Sequence, residues 1–175
     1  MESTIEVKQS DITKLDVDVI VNAANSQLLR GGGVCGAIFR KAGPVELTNA
    51  CSDIGSCETG NAVITPGFNL LSKYIIHAVG PVWQGGENNE SELLYSAYMQ
   101  SLILAKENNC HSIAFPLISS GIYRYPKKEA WKMAIQACND FINENSDYSI
   151  NIIFAVLNDE SKKLGEKIIN EKSIK

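Results

Sequence analysis

Gly31, Gly32 and Gly33 stand in a row, and Val34-Cys35-Gly36 carries the chain from them straight into a helical stretch. Glycine lets backbone approach a ligand closely and take positive φ. Free N–H groups at a helix start attract anions, phosphate above all. The segment therefore predicts a phosphate cradle in preference to an ordinary turn. It is not a P-loop, because Ala37 stands where a lysine would follow the last glycine. Gly31, Gly33 and Gly36 match GxGxxG literally, but Asn22 to Arg30 intervene after the preceding strand and a second helix follows the first, which disfavours a dinucleotide fingerprint. A second loop of small residues, Ser119-Ser120-Gly121-Ile122-Tyr123, follows Ala114-Phe115-Pro116. Paired with the first, it suggests a diphosphate clamped between two backbone nests.

These loops need elements to hold them. Strands are predicted at 5–8, 18–22, 61–65, 73–79, 112–116 and 150–156, and helices at 34–42, 44–54, 90–108, 127–144 and from 159 onward. Val19-Ile20-Val21 is a continuous apolar run, as in a strand buried on both faces. Gly43-Pro44 breaks one helix, and Pro44 suits the first position of the next. Leu93, Leu94, Ala97, Tyr98, Leu102 and Ala105 recur at helical period. The alternation predicts an α/β protein, a three-layer α/β/α sandwich with a central mixed sheet. In such sheets ligands bind beyond the carboxyl ends of the strands. Asn22 to Gly36, Pro116 to Tyr125 and Leu157 to Asp159 all fall there, so three loops converge on one edge. The segment 84–91 reads as a plain surface loop.

The chain has 175 residues, enough for one core without disulfides or structural metal, and a net charge of −4, which argues against a basic nucleic-acid footprint. An acidic protein that binds an anion does so locally, with backbone amides. The five cysteines, Cys35, Cys51, Cys57, Cys110 and Cys138, are odd in number and form no CxxC, so no disulfide framework is expected. His77 and His111 lack metal-ligand spacing, so no zinc or other metal site is expected. His77 reads as a satisfied structural histidine, and Trp83 and Trp131 as packing or surface residues. No export signal or membrane span is read, which leaves the cytoplasm as the expected compartment.

The motifs together resemble the macrodomain family, most closely its MacroD-type branch. The resemblance covers about residues 5–170. It is carried by Asp11-Ile12-Thr13, Asn22-Ala23-Ala24-Asn25-Ser26, Gly31-Gly32-Gly33-Val34, Gly36-Ala37-Ile38, Ala42-Gly43, Cys57-Glu58-Thr59-Gly60, Gly67-Phe68-Asn69-Leu70, Tyr74-Ile75-Ile76-His77, Val79-Gly80-Pro81 and Ser119-Ser120-Gly121-Ile122-Tyr123. It implies one macrodomain over 1–175 that binds ADP-ribose. Asp11 is similar to the carboxylate that accepts from the adenine amino group, and Ile12 to the residue whose N–H reads a ring nitrogen; capping a turn is the other role open to Asp11. Asn22 joins the ligand-binding set, with tying loops together as its alternative. Gly31, Gly32 and Val34 resemble the loop around the diphosphate and distal ribose. Ser119, Ser120, Gly121, Ile122 and Tyr123 resemble the opposite loop, with Tyr123 closing over the ligand. Leu157 and Asn158 stand at the adenine, where the family usually has an aromatic.

The catalytic set implied is Asn25, Gly33 and Cys35. Asn25 resembles the residue that positions the reacting water. Cys35 stands where MacroD-type hydrolases carry an aspartate, either as a thiolate near the helix start or as a small spacer beside the ribose. The implied activity is hydrolysis of the ester joining mono-ADP-ribose to Asp or Glu side chains, with O-acetyl-ADP-ribose deacetylation or a non-catalytic reader as alternatives. No cofactor is implied. The expected partners are ADP-ribose, its conjugates and mono-ADP-ribosylated proteins; nucleic acid is expected only through ADP-ribosylated ends, and the chain is expected to be a monomer.

Overall fold

The computed structural model describes residues 2–173. Six strands, β1 (Thr4–Gln9), β2 (Val19–Ala23), β3 (Ala62–Pro66), β4 (Tyr74–Ala78), β5 (Ser112–Phe115) and β6 (Asn151–Val156), form one sheet in the order β1-β6-β5-β2-β4-β3. Only β3 runs antiparallel, against β4; the other pairs are parallel, so the sheet is mixed as expected. The helices are α1 (Gly33–Ala42), α2 (Pro44–Ile54), α3 (Glu90–Glu107), α4 (Lys127–Glu144) and α5 (Asp159–Ser173).

Side chains alternate between the faces of a strand, and here the alternation sorts the core into two layers. Val19, Val21, Ile113, Phe115, Ile152 and Phe154 face α3, α4 and α5, against Leu94, Tyr98, Trp131 and Ile168. Ile20, Ile75, Ala114, Ile153 and Ala155 face α1 and α2, against Ile38, Phe39, Leu47 and Cys51. Helices therefore cover both faces, giving the α/β/α sandwich expected.

The strand order places the site. From β2 the chain moves to the β4–β3 side, while β5 leads on to the β6–β1 side. The β2–β5 boundary is thus a topological switch point, where the loops leaving the two strands part and open a crevice.

Two local features bear on the sequence reading. A single 3-10 turn, Ile12–Lys14, follows β1 with Asp11 as its cap, the alternative role left open for that residue. The segment before α3 is not a plain surface loop: Glu90, 1% exposed, draws the backbone around its carboxylate.

Candidate functional site

A cavity of about 450 Å³ opens at the switch point. Its walls come from Ala23 to Asn25 after β2, Gly31 to Cys35 at the start of α1, Pro116 to Tyr123 after β5, and Ala155 to Asn158 at the end of β6. Gly80, Lys127 and Ser161 complete it. Lys127 is the only charged side chain among these lining residues. Sequence reasoning did not place Gly80, Lys127 or Ser161 at the site: Gly80 entered only within Val79-Gly80-Pro81, with no role given to it, and Lys127 and Ser161 belong to no motif.

The glycine loop forms the N-terminal end of α1. Gly32 caps the helix without a side-chain bond, and the first helical backbone bond runs from Gly36 N to Gly32 O at 3.2 Å. The N–H groups of Gly33, Val34 and Cys35 therefore have no intrahelical acceptor and stand at the cavity. Gly36 is needed for another reason. A Cβ there would lie 2.7 Å from Gly31 O, a backbone clash inside the cradle.

The facing loop is strained and small. Ser119 sits at φ 67°, and its Oγ, fully enclosed, has no hydrogen-bond partner among the described residues. Ser120 Oγ is spent on Leu117 O at 2.7 Å. Gly80 lets this loop approach: a Cβ there would lie 2.2 Å from Ser119 Oγ. From below, the buried Tyr98 hydroxyl accepts from Ile118 N at 2.8 Å and donates to Pro116 O at 3.3 Å. Tyr98→Phe would strand both backbone groups in the core, at a cost of about 1–3 kcal/mol. Urea unfolding of the variant should show that loss; an unchanged midpoint would mean water replaces the hydroxyl.

Asn25 lines the cavity but is not idle. Its Oδ1 accepts from Leu29 N at 3.0 Å and its Nδ2 donates to Leu29 O at 2.8 Å. A carboxamide has two donors and two lone pairs on oxygen, so one of each remains for a ligand or water. Cys35 is 7% exposed and its Sγ accepts from Gly31 N at 3.4 Å. The sulfur thus packs against the glycine loop, at the cavity wall.

At the β6 end, Leu157 is 74% exposed on the rim, and Asn158 uses Oδ1 to accept from Ser161 N at 2.8 Å, capping α5. Asp11 and Ile12 are not among the lining residues. They follow β1 beside the end of β6, where Gln9 pairs with Val156. The Asp11 carboxylate accepts from Thr13 Oγ1 at 2.7 Å and Thr13 N at 2.9 Å. The Thr13 hydroxyl bond, aided by the N–H, outweighs burial and holds this carboxyl below its ordinary value.

Asn22 does not reach the cavity either. It is 1% exposed, and its Nδ2 donates to His77 Nδ1 at 3.0 Å across the β2–β4 pair. With Nδ1 accepting, His77 Nε2–H donates to Thr65 Oγ1 at 3.0 Å, and Thr65 Oγ1 donates to Pro66 O at 3.2 Å. Asn22 is drawn inward because a neutral buried imidazole needs partners at both nitrogens. Burial pushes His77 down to about 4, from an ordinary 6.5. Below the ordinary value the unfolded chain binds a proton that the folded protein refuses. The stability owed to neutral His77 is therefore complete above pH 6.5 and lost as pH falls towards 4. That loss should reach about 3 kcal/mol. Urea midpoints of wild type and His77→Gln across this range check it; parallel pH slopes would remove the role assigned to His77.

No group of three or more His, Cys, Asp or Glu among the described residues is placed to hold a metal. Chemically, the cavity is bordered by backbone amides of the two loops, by apolar side chains and by two asparagines, Asn25 and Asn158.

Comparison with known proteins agrees with this geometry. Residues 21–134 match a family model described as Macro domain. An O-acetyl-ADP-ribose deacetylase of Escherichia fergusonii is 48% identical over 175 residues, covering 98% of each chain. Among solved structures, an Oceanobacillus iheyensis macrodomain with ADP superposes with a TM-score of 0.93 at 38% identity, covering 98% of this chain and 93% of that one. A Trypanosoma brucei macrodomain in complex with ADP-ribose gives a TM-score of 0.87 at 36% identity, covering 94% of this chain and 68% of that one.

Proposed function

The chain belongs to the Macro domain family, and from that premise we propose that it binds ADP-ribose and hydrolyses an ester at the ligand's distal ribose. The observation that carries the reading is the cavity between two loops of small residues, one of them an uncapped helix start. The diphosphate lies between Gly31–Val34 and Ser119–Ile122, on backbone N–H groups. Asp11 and Ile12 read the adenine, with Leu157 and Asn158 beside it. Asn22 supports the floor through His77 instead of touching the ligand. Tyr123 closes over the distal end.

Water is held between the free amide valences of Asn25, the Gly33 backbone and the ligand's own phosphate. It adds to the ester, whose cleavage leaves ADP-ribose and a free carboxylic acid. Positioning of this kind supplies much of the rate without a strong protein base. Cys35 acts as a spacer that receives the Gly31 N–H and keeps the loop in shape. The substrates we propose are proteins bearing mono-ADP-ribose on Asp or Glu. O-acetyl-ADP-ribose is the second reading, favoured by the deacetylase relatives. The chemistry is the same: the acyl group is then acetyl.

No described helix is long and apolar enough to cross a membrane. All five cysteines are free and buried, which supports a reducing, cytoplasmic setting. We take the protein to act there as a single-domain monomer.

Calorimetric titration with ADP-ribose, alongside acetate release from O-acetyl-ADP-ribose and ADP-ribose release from a glutamate conjugate, tests the reading. Wild type should bind and turn over at least one ester, and Cys35→Asp should turn over faster. Binding without turnover in the wild type would make the protein a reader. No binding would remove the ligand itself.

A further inference from the structure

Glu90 and Trp83 lie outside the cavity lining, and the proposed reaction uses neither. Glu90 opens α3 at 1% exposure, and a carboxylate is seldom enclosed unless its charge is satisfied. Its Oε2 accepts from Gln84 N at 2.7 Å and Gly86 N at 3.1 Å, and its Oε1 accepts from Asn88 N at 2.6 Å. Burial pushes the carboxyl up, but these N–H groups outweigh it and hold it below its ordinary value. The backbone turns around this acceptor through left-handed positions at Gly85, Gly86 and Asn89, with φ of 93°, 92° and 60°.

The turn presses on Trp83. A Cβ at Gly86 would stand 2.9 Å from the Trp83 ring. On its other side that ring meets Tyr125, with centroids 4.8 Å apart. Trp83 N also donates to Tyr123 O at 2.8 Å. Tyr123 lines the cavity. Two links thus run from the turn around Glu90 to the loop that faces the glycine cradle: the Trp83 backbone to Tyr123, and the indole to Tyr125, whose N–H donates to Ser119 O at 2.9 Å.

We infer that Glu90 is a positioning residue for the ligand-binding loop at Ser119–Tyr123, acting as a latch through Trp83. Closing the turn on the carboxylate fixes Trp83, Trp83 fixes Tyr123, and an occupied cavity and a closed latch favour each other. The ligand half of this inference rests on the ADP-ribose reading above; the mechanical half does not.

The test uses acrylamide quenching of tryptophan fluorescence with ADP-ribose titration, on wild type, Glu90→Gln and Trp83→Phe. Trp131 is fully buried, so quenching reads Trp83. In Glu90→Gln an amide N–H replaces an acceptor oxygen, and the turn should open. Quenching should rise, ADP-ribose affinity should fall by about tenfold, and saturating ADP-ribose should return quenching to the wild-type level, as reciprocal coupling requires. Trp83→Phe keeps the backbone bond to Tyr123 but loosens the ring contact, so it should lose affinity by a smaller factor. A lower melting temperature with quenching and affinity unchanged would overturn the latch and leave Glu90 a stabilising residue only. If wild type does not bind ADP-ribose, the ligand reading fails and the coupling with it. Quenching without ligand then still decides the latch: equal values in wild type and Glu90→Gln overturn it.

Discussion

Gly36→Ala is expected to weaken ADP-ribose binding by about 100-fold, although Gly36 need not touch the ligand. The added Cβ would stand 2.7 Å from Gly31 O. Helix and loop cannot both keep their places, so the N–H groups of the cradle move off the position we propose for the diphosphate. Overpacking of this kind costs about 1–3 kcal/mol, and each 1.4 kcal/mol passed on to binding is tenfold. Gly32→Ala is the matched control. Gly32 has an extended backbone at φ −91°, and a Cβ there meets no protein atom within 4 Å. Any affinity lost by Gly32→Ala must come from contact with the ligand itself. Calorimetry on both variants gives the comparison. Wild-type affinity in Gly36→Ala would show that the cradle is not where the diphosphate sits.

Asn25→Ala is expected to reduce kcat for ester hydrolysis by about 100-fold or more, the range seen when one positioned donor to the reacting centre is removed. The structure adds a complication. Both polar ends of the Asn25 amide also hold Leu29. Alanine therefore removes a loop clasp together with the group we propose to orient water. Kinetics separate the two roles. Loss of kcat with ADP-ribose affinity kept within about tenfold assigns Asn25 to the chemistry, since a transition-state interaction leaves ground-state binding in place. Equal losses in affinity and kcat would assign it to the clasp.

Short apolar runs such as Val19-Ile20-Val21 were enough to read all six strands, and Gly43-Pro44 marked the α1–α2 break where the structure has it. The two loops also met as expected, because both leave parallel strands at the same sheet edge. Sheet order was not legible, since nothing in the local pattern of β1 says that its partner is β6. The missing parts of the site have a common physical cause. Asn22 and Asn25 share a type and a motif, yet one is pulled into the core by a buried imidazole and the other faces the cavity. Glu90 reads as an ordinary acidic residue at a helix start, and only the closed turn gives it three N–H partners. Lys127 joins the cavity by the placement of α4, which no spacing encodes.

The pairing of β1 with β6 has a consequence during synthesis. Thr4 and Asn151, bonded across that pair, are 147 residues apart in the chain. At roughly 5–20 residues per second, the ribosome needs about 7–30 s to deliver the partner of the first strand. Until then Thr4–Gln9 is an unpaired edge, open to a nascent neighbour or a chaperone. The Asp11 turn that follows it must wait as well, so the wall we propose for the adenine forms late. A ribosome-bound chain stopped before β6 should carry the Gly31–Val34 and Ser119–Ile122 loops without that wall.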